Sequence, residues 1–151
     1  MVQFRPARSS DLTEILRLLA DDPLGKTRET VSDGVDTAYE EAFAAMEADP
    51  NQLMAVGVDD SGDVVACLQI TFIPGLSRGG MWRGQIESVR VSSRHRGQGL
   101  GRALLDWAIA RCRERGCGLV QLTSDKTRAD AIRFYEGLGF TASHEGLKLA
   151  L

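Results

Sequence analysis

Residues 86–115 constrain the fold of this chain more than any other stretch. Residues 86–91 have the β-branched content of a strand, Gly97, Gly99 and Gly101 follow, and a helix-periodic apolar run comes next. Glycine accepts positive φ and lets the backbone approach another group closely. The first turn of a helix adds unpaired N–H groups and the positive end of the helix dipole. The stretch therefore predicts a strand, a glycine turn and a helix whose N-terminal end binds a phosphate or pyrophosphate.

Length and composition indicate one globular domain covering residues 1–151. Hydrophobic residues make up 43% of the chain and charged residues 26%, which is ordinary for a domain with a real core. The chain has an odd number of cysteines, and their spacing is not that of a metal site. We therefore expect reduced core thiols at Cys67, Cys112 and Cys117 and a cytoplasmic protein. The first residues lack the apolar segment of a signal peptide, and no apolar run is long enough to span a bilayer.

Charge is distributed unevenly along the chain. Residues 11–50 carry 11 acidic and 3 basic side chains, whereas residues 78–151 carry 13 basic and 7 acidic ones. Solvated surfaces would account for this pattern, and so would an anionic ligand bound by the C-terminal half. The chain is acidic overall and its basic residues are not interleaved with aromatic ones, which argues against a nucleic-acid partner. The two histidines stand alone, so no metal site is expected.

Apolar periodicity predicts an alternation of strands and helices. Strands are predicted over residues 2–8, 52–58, 64–73, 81–91, 119–124, 140–143 and 147–151. Helices are predicted up to residue 19, over 35–48, over 102–115 and around 131–138. The strand at 119–124 follows a strand, a turn and a helix, so it should pair in parallel with the strand at 86–91 through a right-handed crossover. The order β-α-α-β-β-β-α-β-α-β-β indicates an α/β (α+β) domain with a mixed, mostly antiparallel sheet.

Two motifs carry a resemblance to a known family. The run Arg96-Gly97-Gln98-Gly99-Leu100-Gly101 resembles the (Gln/Arg)-x-x-Gly-x-(Gly/Ala) motif of the GNAT superfamily of GCN5-related N-acetyltransferases. The segment from Ala131 to Phe140 resembles that family's second signature, Ala-x-x-Phe-Tyr followed by Gly-Phe. The predicted element order matches the family over essentially the whole chain. The resemblance implies the GNAT fold, in which the parallel strand pair splays apart.

The resemblance also implies that acetyl-CoA is the co-substrate. The family binds the pyrophosphate on backbone N–H groups of the glycine turn and pairs the pantetheine arm with the preceding strand. The residues to which these roles carry over are Val89, Arg90, Val91, Arg96, Gly97, Gln98, Gly99, Leu100, Gly101 and Arg102. Strands that part would leave N–H and C=O groups that an extended, amide-bearing ligand can satisfy.

Two residues are candidates for the chemistry of amine attack on a thioester. Tyr135 matches the family's frequent general acid, and the alternative is a core tyrosine whose hydroxyl bonds to the backbone. Glu87 is the candidate base, because strand alternation should place it on one face with Val89 and Val91, where partial desolvation would raise the pKa of its carboxyl group. The alternatives are a glutamate paired with an arginine, one turned outward by a bulge, or a base role taken by ordered water.

Two other functions remain open at this stage. Gly97-x-Gly99 followed by Asp125 faintly resembles the fingerprint of a dinucleotide oxidoreductase, but the third glycine would fall at Arg102. A catalytically silent CoA-binding regulatory module would also keep the glycine turn.

The amine acceptor is the least determined part of the predicted function. The acidic N-terminal part favours a cationic amine, while Arg28, Arg83 and Arg128 would suit an acceptor that carries a carboxylate. Arg128 stands where many family members have an Asn that contacts the cofactor, so its role is open between CoA, acceptor and solvent. Dimers occur in the family, which makes a homodimer one of the expected assemblies, although the sequence does not fix it.

Overall fold

The computed structural model describes residues 1–22, 24–29 and 35–151, and only the backbone of Lys26 and Thr27. These residues form one five-stranded sheet of order β1-β2-β3-β4-β5. The strands are β1 (Gln3–Pro6), β2 (Gln52–Val58), β3 (Val64–Ile73), β4 (Arg83–Val91) and β5 (Leu119–Leu122). Neighbours run antiparallel except β4 and β5, which are parallel. The predicted mixed sheet and its single parallel pair are confirmed.

The helices among the described residues cover both faces of this sheet. They are α1 (Leu12–Ala20), α2 (Gly25–Arg28), α3 (Thr37–Ala48), α4 (Ser77–Gly80), α5 (Leu100–Glu114) and α6 (Ala129–Gly137). In α5 the buried residues Leu104, Leu105, Ala108 and Cys112 recur at helical spacing, so one stripe packs on the sheet. The one-turn segments α2 and α4 were not predicted, because four residues are too few to show a period.

Two apolar clusters, one on each face of the sheet, form the core. Leu104 and Leu105 of α5 are fully buried against Leu68 of β3, and α1 and α3 bury a second set that includes Ile15 and Phe43. Fully burying one such side chain contributes about 1.5–3 kcal/mol. The larger cluster lies under α5 and fixes the position of that helix relative to β4.

The three cysteines are free thiols in or beside this core. Burial raises the pKa of Cys67 to about 12 and the pKa of Cys112 to about 11, so both remain protonated at neutral pH. Cys112 also lies so close to β4 that a Cβ placed on Gly84 would come within 2.3 Å of its Sγ. The glycine at this position therefore lets α5 approach β4 closely. The expected location of the cysteines in or beside the core is confirmed.

The two closing strands that the sequence predicts at residues 140–143 and 147–151 are not formed. The chain after α6 pairs with no strand among the described residues, and residues 141–151 are exposed. An alternating pattern gives a strand only where a neighbouring strand accepts its hydrogen bonds, and this chain's own sheet ends at β5. In the part of the chain that the structure describes, no helix is long and apolar enough to cross a membrane.

Candidate active site

A β-bulge interrupts β4 shortly before the glycine turn. Ser88 and Val89 of β4 lie opposite the single residue Leu68 of β3. Ser88 has a φ of 56°, a left-handed conformation that costs a residue with a Cβ about 1–2 kcal/mol. The extra residue bends and twists the strand, and bulges of this kind are frequent beside active sites.

The two parallel strands diverge at this bulge. Pairing joins residues 83–86 of β4 with β5 and stops there. The N–H of Ser92 donates to the C=O of Val65 in β3 at 2.8 Å. Because main-chain groups alternate sides along a strand, the N–H and C=O of Val91 point away from β3, to the open side where β5 has parted from β4. On that side the C=O of Val89 accepts a hydrogen bond from the Arg90 guanidinium at 2.9 Å. The opened stretch of β4 can therefore pair with an extended ligand such as pantetheine.

The glycine turn presents unused N–H groups at the head of α5. Gly97 and Gly99 have φ values of 77° and 79°, and Gly99 is the N-cap of the helix. Within the described residues, the N–H groups of residues 97–102 make no hydrogen bond to the protein. The first one engaged belongs to Ala103, which donates to the C=O of Gly99 at 3.1 Å. Unused donors at the positive end of a 15-residue helix fit an anion such as a pyrophosphate.

Side chains of the turn mostly point away from this cluster of N–H groups. Arg96 donates from Nη2 to the C=O of Asp21 at 3.2 Å, and the Gln98 amide donates to a carbonyl of the preceding turn at 3.3 Å. Leu100 is buried in the core, and Arg102 is exposed. The main chain is thus the part of the turn available to an anion, with the Arg102 guanidinium next to it in sequence.

Tyr135 lies on α6, which packs against the first turn of α5. A Cβ on Gly101 would come within 3.5 Å of the Phe134 ring. The Tyr135 ring makes edge contacts with Phe134 and Phe140 at centroid distances of 5.2 and 5.9 Å, and its hydroxyl hydrogen-bonds to no described residue. Burial raises the pKa of Tyr135, and the positive charges of Arg90 and Arg128 oppose this shift without cancelling it. The phenol therefore holds its proton at neutral pH.

Glu87 does not share a face with Val89 and Val91, so that prediction is wrong. The bulge inserts one residue between them and reverses the alternation. Val89 and Val91 pack with Ile86 in the cluster under α5, whereas Glu87 lies opposite Gln69 and is exposed. The alternative in which a bulge turns the carboxylate outward is the observed one.

A buried carboxylate connects three separate elements next to Tyr135. Asp22, just after α1, accepts hydrogen bonds from Arg128 Nη2 at 2.6 Å and from the Gly25 N–H at 3.2 Å, and Arg90 Nη2 lies 3.4 Å away. Burial favours a higher pKa for Asp22, but the Arg128 hydrogen bond and the charges of Arg90 and Arg128 outweigh it, so the pKa lies below its ordinary value. Arg128 is thus engaged by an acid of this chain, an arrangement that sequence reasoning did not foresee.

A row of polar side chains crosses the sheet on the face of Glu87. We call this set the polar row, and its members, each paired with the next across adjacent strands, are Gln52, Thr71, Gln85 and Gln121. Thr71 donates to Gln52 at 3.1 Å, Gln121 donates to Gln85 at 2.9 Å, and Arg83 donates to Gln121 at 3.3 Å. Because Gln85 and Glu87 are two residues apart on β4, they share this face. The polar row would line the approach of a polar molecule to Glu87.

The donors of the site fit an acyl-CoA. No group of three or more His, Cys, Asp or Glu side chains could hold a metal ion among the residues that the structure describes. The unused N–H groups of the glycine turn suit a pyrophosphate, and the opened side of β4 suits an amide-bearing chain. Both features lie at the end of β4, with Tyr135 beside the first turn of α5.

Comparison with known proteins places the chain among acetyltransferases. Residues 12–140 match the model of the acetyltransferase (GNAT) family. The aminoalkylphosphonate N-acetyltransferase of Salmonella typhimurium is 34% identical over 107 residues, which cover 71% of this chain and 68% of that protein. The streptothricin acetyltransferase of Streptomyces lavendulae is 35% identical over 125 residues, 80% of this chain and 59% of that protein. The chain thus spans about three fifths to two thirds of these relatives.

A solved structure shares the fold from end to end. The crystal structure of a transcriptional regulator from Bacillus halodurans C-125 superposes with a TM-score of 0.97 and 47% identity, covering 100% of both chains. The family match, the acetyltransferase relatives and the opened β4–β5 pair agree, and we conclude that this chain belongs to the GNAT family of acetyltransferases.

Proposed function

We propose that the protein transfers an acetyl group from acetyl-CoA to the primary amine of a small polar acceptor. The observation that carries this proposal is the set of unused N–H groups of residues 97–102 beside the parted strands β4 and β5. These donors hold the pyrophosphate of CoA, and the open main-chain groups at Val91 align the pantetheine arm. Held in this way, the thioester lies in the cleft between the two strands. The three reduced cysteines agree with a cytoplasmic enzyme.

Two side chains carry out the proton transfers of the reaction. Acetyl-CoA supplies the acetyl group as a thioester. Glu87 takes a proton from the ammonium form of the acceptor, directly or through an ordered water, and leaves a neutral nucleophile. The new N–C bond forms as the C–S bond breaks, and Tyr135 gives its hydroxyl proton to the departing sulfur. The second proton, which the acceptor nitrogen loses on becoming an amide, restores the Tyr135 hydroxyl, and Glu87 releases its proton to solvent. Burial raises the pKa of Tyr135, so the phenol is protonated at neutral pH and has a proton to give.

The polar row supports a hydrogen-bonding acceptor. Its amide and hydroxyl groups lie on the face of Glu87, and Arg83 adds a cation at one end. Buried or half-buried amides select partners that satisfy their hydrogen bonds. A related enzyme is named for aminoalkylphosphonates and another for streptothricin. The first amines to screen are therefore aminoalkylphosphonates and streptothricin, with polyamines as the contrasting cationic class.

The proposal is tested by binding at the glycine turn. Gly99→Val places a β-branched residue at a φ of 79°, and Gly62→Val places the same residue at a φ of 87° in a hairpin turn away from the site. A Cβ would meet no atom within 4 Å at either position, so the backbone strain is matched. CoA at about 100 times its Kd should stabilise the wild type and Gly62→Val by about 2.7 kcal/mol. Gly99→Val should lose that stabilisation.

Three outcomes would contradict the proposal. If Gly99→Val binds CoA as tightly as Gly62→Val does, the pyrophosphate binds elsewhere. If NADH stabilises the fold and CoA does not, the dinucleotide alternative is correct. If CoA binds but no amine in the screen releases free thiol from acetyl-CoA, the chain is a silent CoA-binding module.

A further inference from the structure

Packing holds the helix that carries Tyr135 less firmly than it holds the other long helices. In the part of the chain that the structure describes, α6 fully buries none of its nine residues, whereas α1, which has the same length, buries four. Tyr135 packs only at the edge of the cluster under α5, and Phe134, beside the first turn of α5, is 38% exposed. Partly buried side chains contribute less than fully buried ones, so packing alone fixes α6 weakly.

An ion pair holds the N-terminal end of α6. Arg128 is the N-cap residue of the helix, and its Nη2 donates to Oδ2 of Asp22 at 2.6 Å. Asp22 is buried and Arg128 is half-buried, so water and salt screen this pair less than they screen a pair on the surface. A charge-assisted hydrogen bond therefore attaches α6 to the chain just after α1.

The same carboxylate also contacts β4 beyond the bulge. Arg90 Nη2 lies 3.4 Å from Oδ2 of Asp22, and Arg90 stands between Val89 and Val91, where the pantetheine arm is proposed to lie. The pairing of β4 with β5 ends at Ile86, so the strand ladder does not join the two sides of the cleft at this point. Asp22 joins them instead. We call its contacts with Arg90 and Arg128 the Asp22 bridge.

The turn that carries Asp22 is itself tightly packed. The N–H of Gly25 donates to Oδ2 of Asp22 at 3.2 Å. A Cβ on Gly25 would come within 1.8 Å of the C=O of Leu19, so this turn packs directly against the end of α1. α1 in turn buries Ile15 and Leu16 against the sheet. The carboxylate therefore has a fixed position relative to β4.

We propose that Asp22 is a positioning residue for acetyl transfer: through Arg90 and Arg128 it sets the distance between the thioester aligned on β4 and the Tyr135 hydroxyl on α6. This inference rests on the proposed function, because it takes Tyr135 as the acid. Asp22 acts through the two arginines and remains ionised, since their charges and the Arg128 hydrogen bond keep its pKa below the ordinary value. Placement matters because a displacement of about 1 Å can cost about 10²-fold in rate.

Asp22→Asn tests the bridge, and Asp11→Asn is the matched control. Asp11 and Asp22 are 6% and 7% exposed, and Asp11 likewise accepts hydrogen bonds from a backbone N–H, that of Arg8, and from an arginine, Arg5. Arg5 lies on β1, at the opposite edge of the sheet from β5. Both variants should lose stability, but only Asp22→Asn should lower kcat, by about 10–10²-fold. Its Kd for acetyl-CoA should change by less than a factor of about three, because the main chain of the glycine turn is left in place.

A double-mutant comparison separates positioning from a general loss of structure. Rates are measured at saturating substrates, at a temperature well below the melting temperature of every variant. Because Asp22 acts through Tyr135, Asp22→Asn should lower kcat by less than about two-fold in a Tyr135→Phe background. A full further loss in the double variant overturns the proposal. So does a kcat of Asp22→Asn as high as that of Asp11→Asn, or a Tyr135→Phe variant with the kcat of the wild type.

Amide hydrogen exchange measures the Asp22 bridge without turnover. In Asp22→Asn the amides of α6 should exchange about tenfold faster than in the wild type, and those of α5 should not change; Asp11→Asn should leave α6 unchanged. Unchanged exchange in α6 of Asp22→Asn refutes the bridge. A wild type that acetylates no amine overturns the proposed function and the positioning role with it, and the exchange rates still show whether Asp22 holds α6.

Discussion

Replacing Tyr135 by phenylalanine separates the chemistry of the proposed acid from its packing. The ring contacts with Phe134 and Phe140 remain, and the lost hydroxyl bonds to no described residue. The free energy of unfolding should therefore change by no more than about 0.5 kcal/mol. Without a proton for the departing sulfur, kcat should fall by about 10²–10⁴-fold, the usual contribution of a general acid. This corresponds to roughly 3–5 kcal/mol in the activation free energy.

The assay is thiol release from acetyl-CoA at saturating amine, followed across pH. Tyr135 acts only while protonated, and its pKa is raised above the ordinary value of 10.0, so its acid form persists through neutral pH and is lost as pH rises through the folded-state pKa. The wild type should show that alkaline limb, and Tyr135→Phe should lack it. Acetyl-CoA binding should be nearly unchanged in the variant.

The chain's other tyrosine supplies the matched control. The Tyr39 hydroxyl donates to Glu29 at 2.8 Å in a partly buried position. Tyr39→Phe should lower the free energy of unfolding by about 1 kcal/mol and leave kcat unchanged. If kcat of Tyr135→Phe stays within a factor of about two of the wild type, Tyr135 is a packing residue and the proposed acid is wrong.

Two further predictions concern the carboxylates of the site. Glu87→Gln should flatten the acidic limb of the pH–rate profile without lowering the melting temperature, because the side chain is exposed. Glu41→Gln on α3 is the control. An unaltered acidic limb in Glu87→Gln would exclude Glu87 as the base. Asp22→Asn should cost about 1–3 kcal/mol of unfolding free energy at pH 7, since Arg90 and Arg128 lose a charged partner. The pKa of Asp22 is lowered in the folded state, so its contribution is present above the unfolded value of about 4 and disappears as pH falls through the folded one. Urea unfolding at pH 7 and pH 3 should therefore show a gap between wild type and variant that closes at low pH, and an equal gap at both would assign the effect to something other than this ion pair.

Local patterns predicted most of the fold. β2 and β3 occupy the predicted residues 52–58 and 64–73, because alternation and hairpin-turn residues are local signals. The parallel pairing of β5 with β4 followed from the handedness rule for a strand, helix and strand. These rules could not decide whether the two predicted closing strands form. Their alternating pattern fits a strand that pairs within the chain as well as one that pairs outside it.

The site was predictable only where one short stretch of sequence builds it. The glycine turn is such a stretch, since positive φ at Gly97 and Gly99 follows from the residue type. The ion pair between Asp22 and Arg128 joins residues 106 positions apart. No local sequence pattern around either residue identifies the other as its partner. Ser88 adopts a left-handed conformation in the middle of a strand, and no sequence signal for a turn or a bulge marks that position.

The extra residue at Ser88 reverses the alternation of side chains along β4, so odd-numbered residues face one side of the sheet before it and the other side after it. Before it, odd-numbered residues point toward the polar row; after it, odd-numbered residues point toward α5. Substitutions at the odd-numbered positions before residue 88 can therefore change the side chains that the acceptor contacts without disturbing the layer beneath the helix. A one-residue insertion or deletion between residues 84 and 91 would instead swap the inner and outer side chains of one half, so relatives of different length in this strand must present different chemistry to their acceptors.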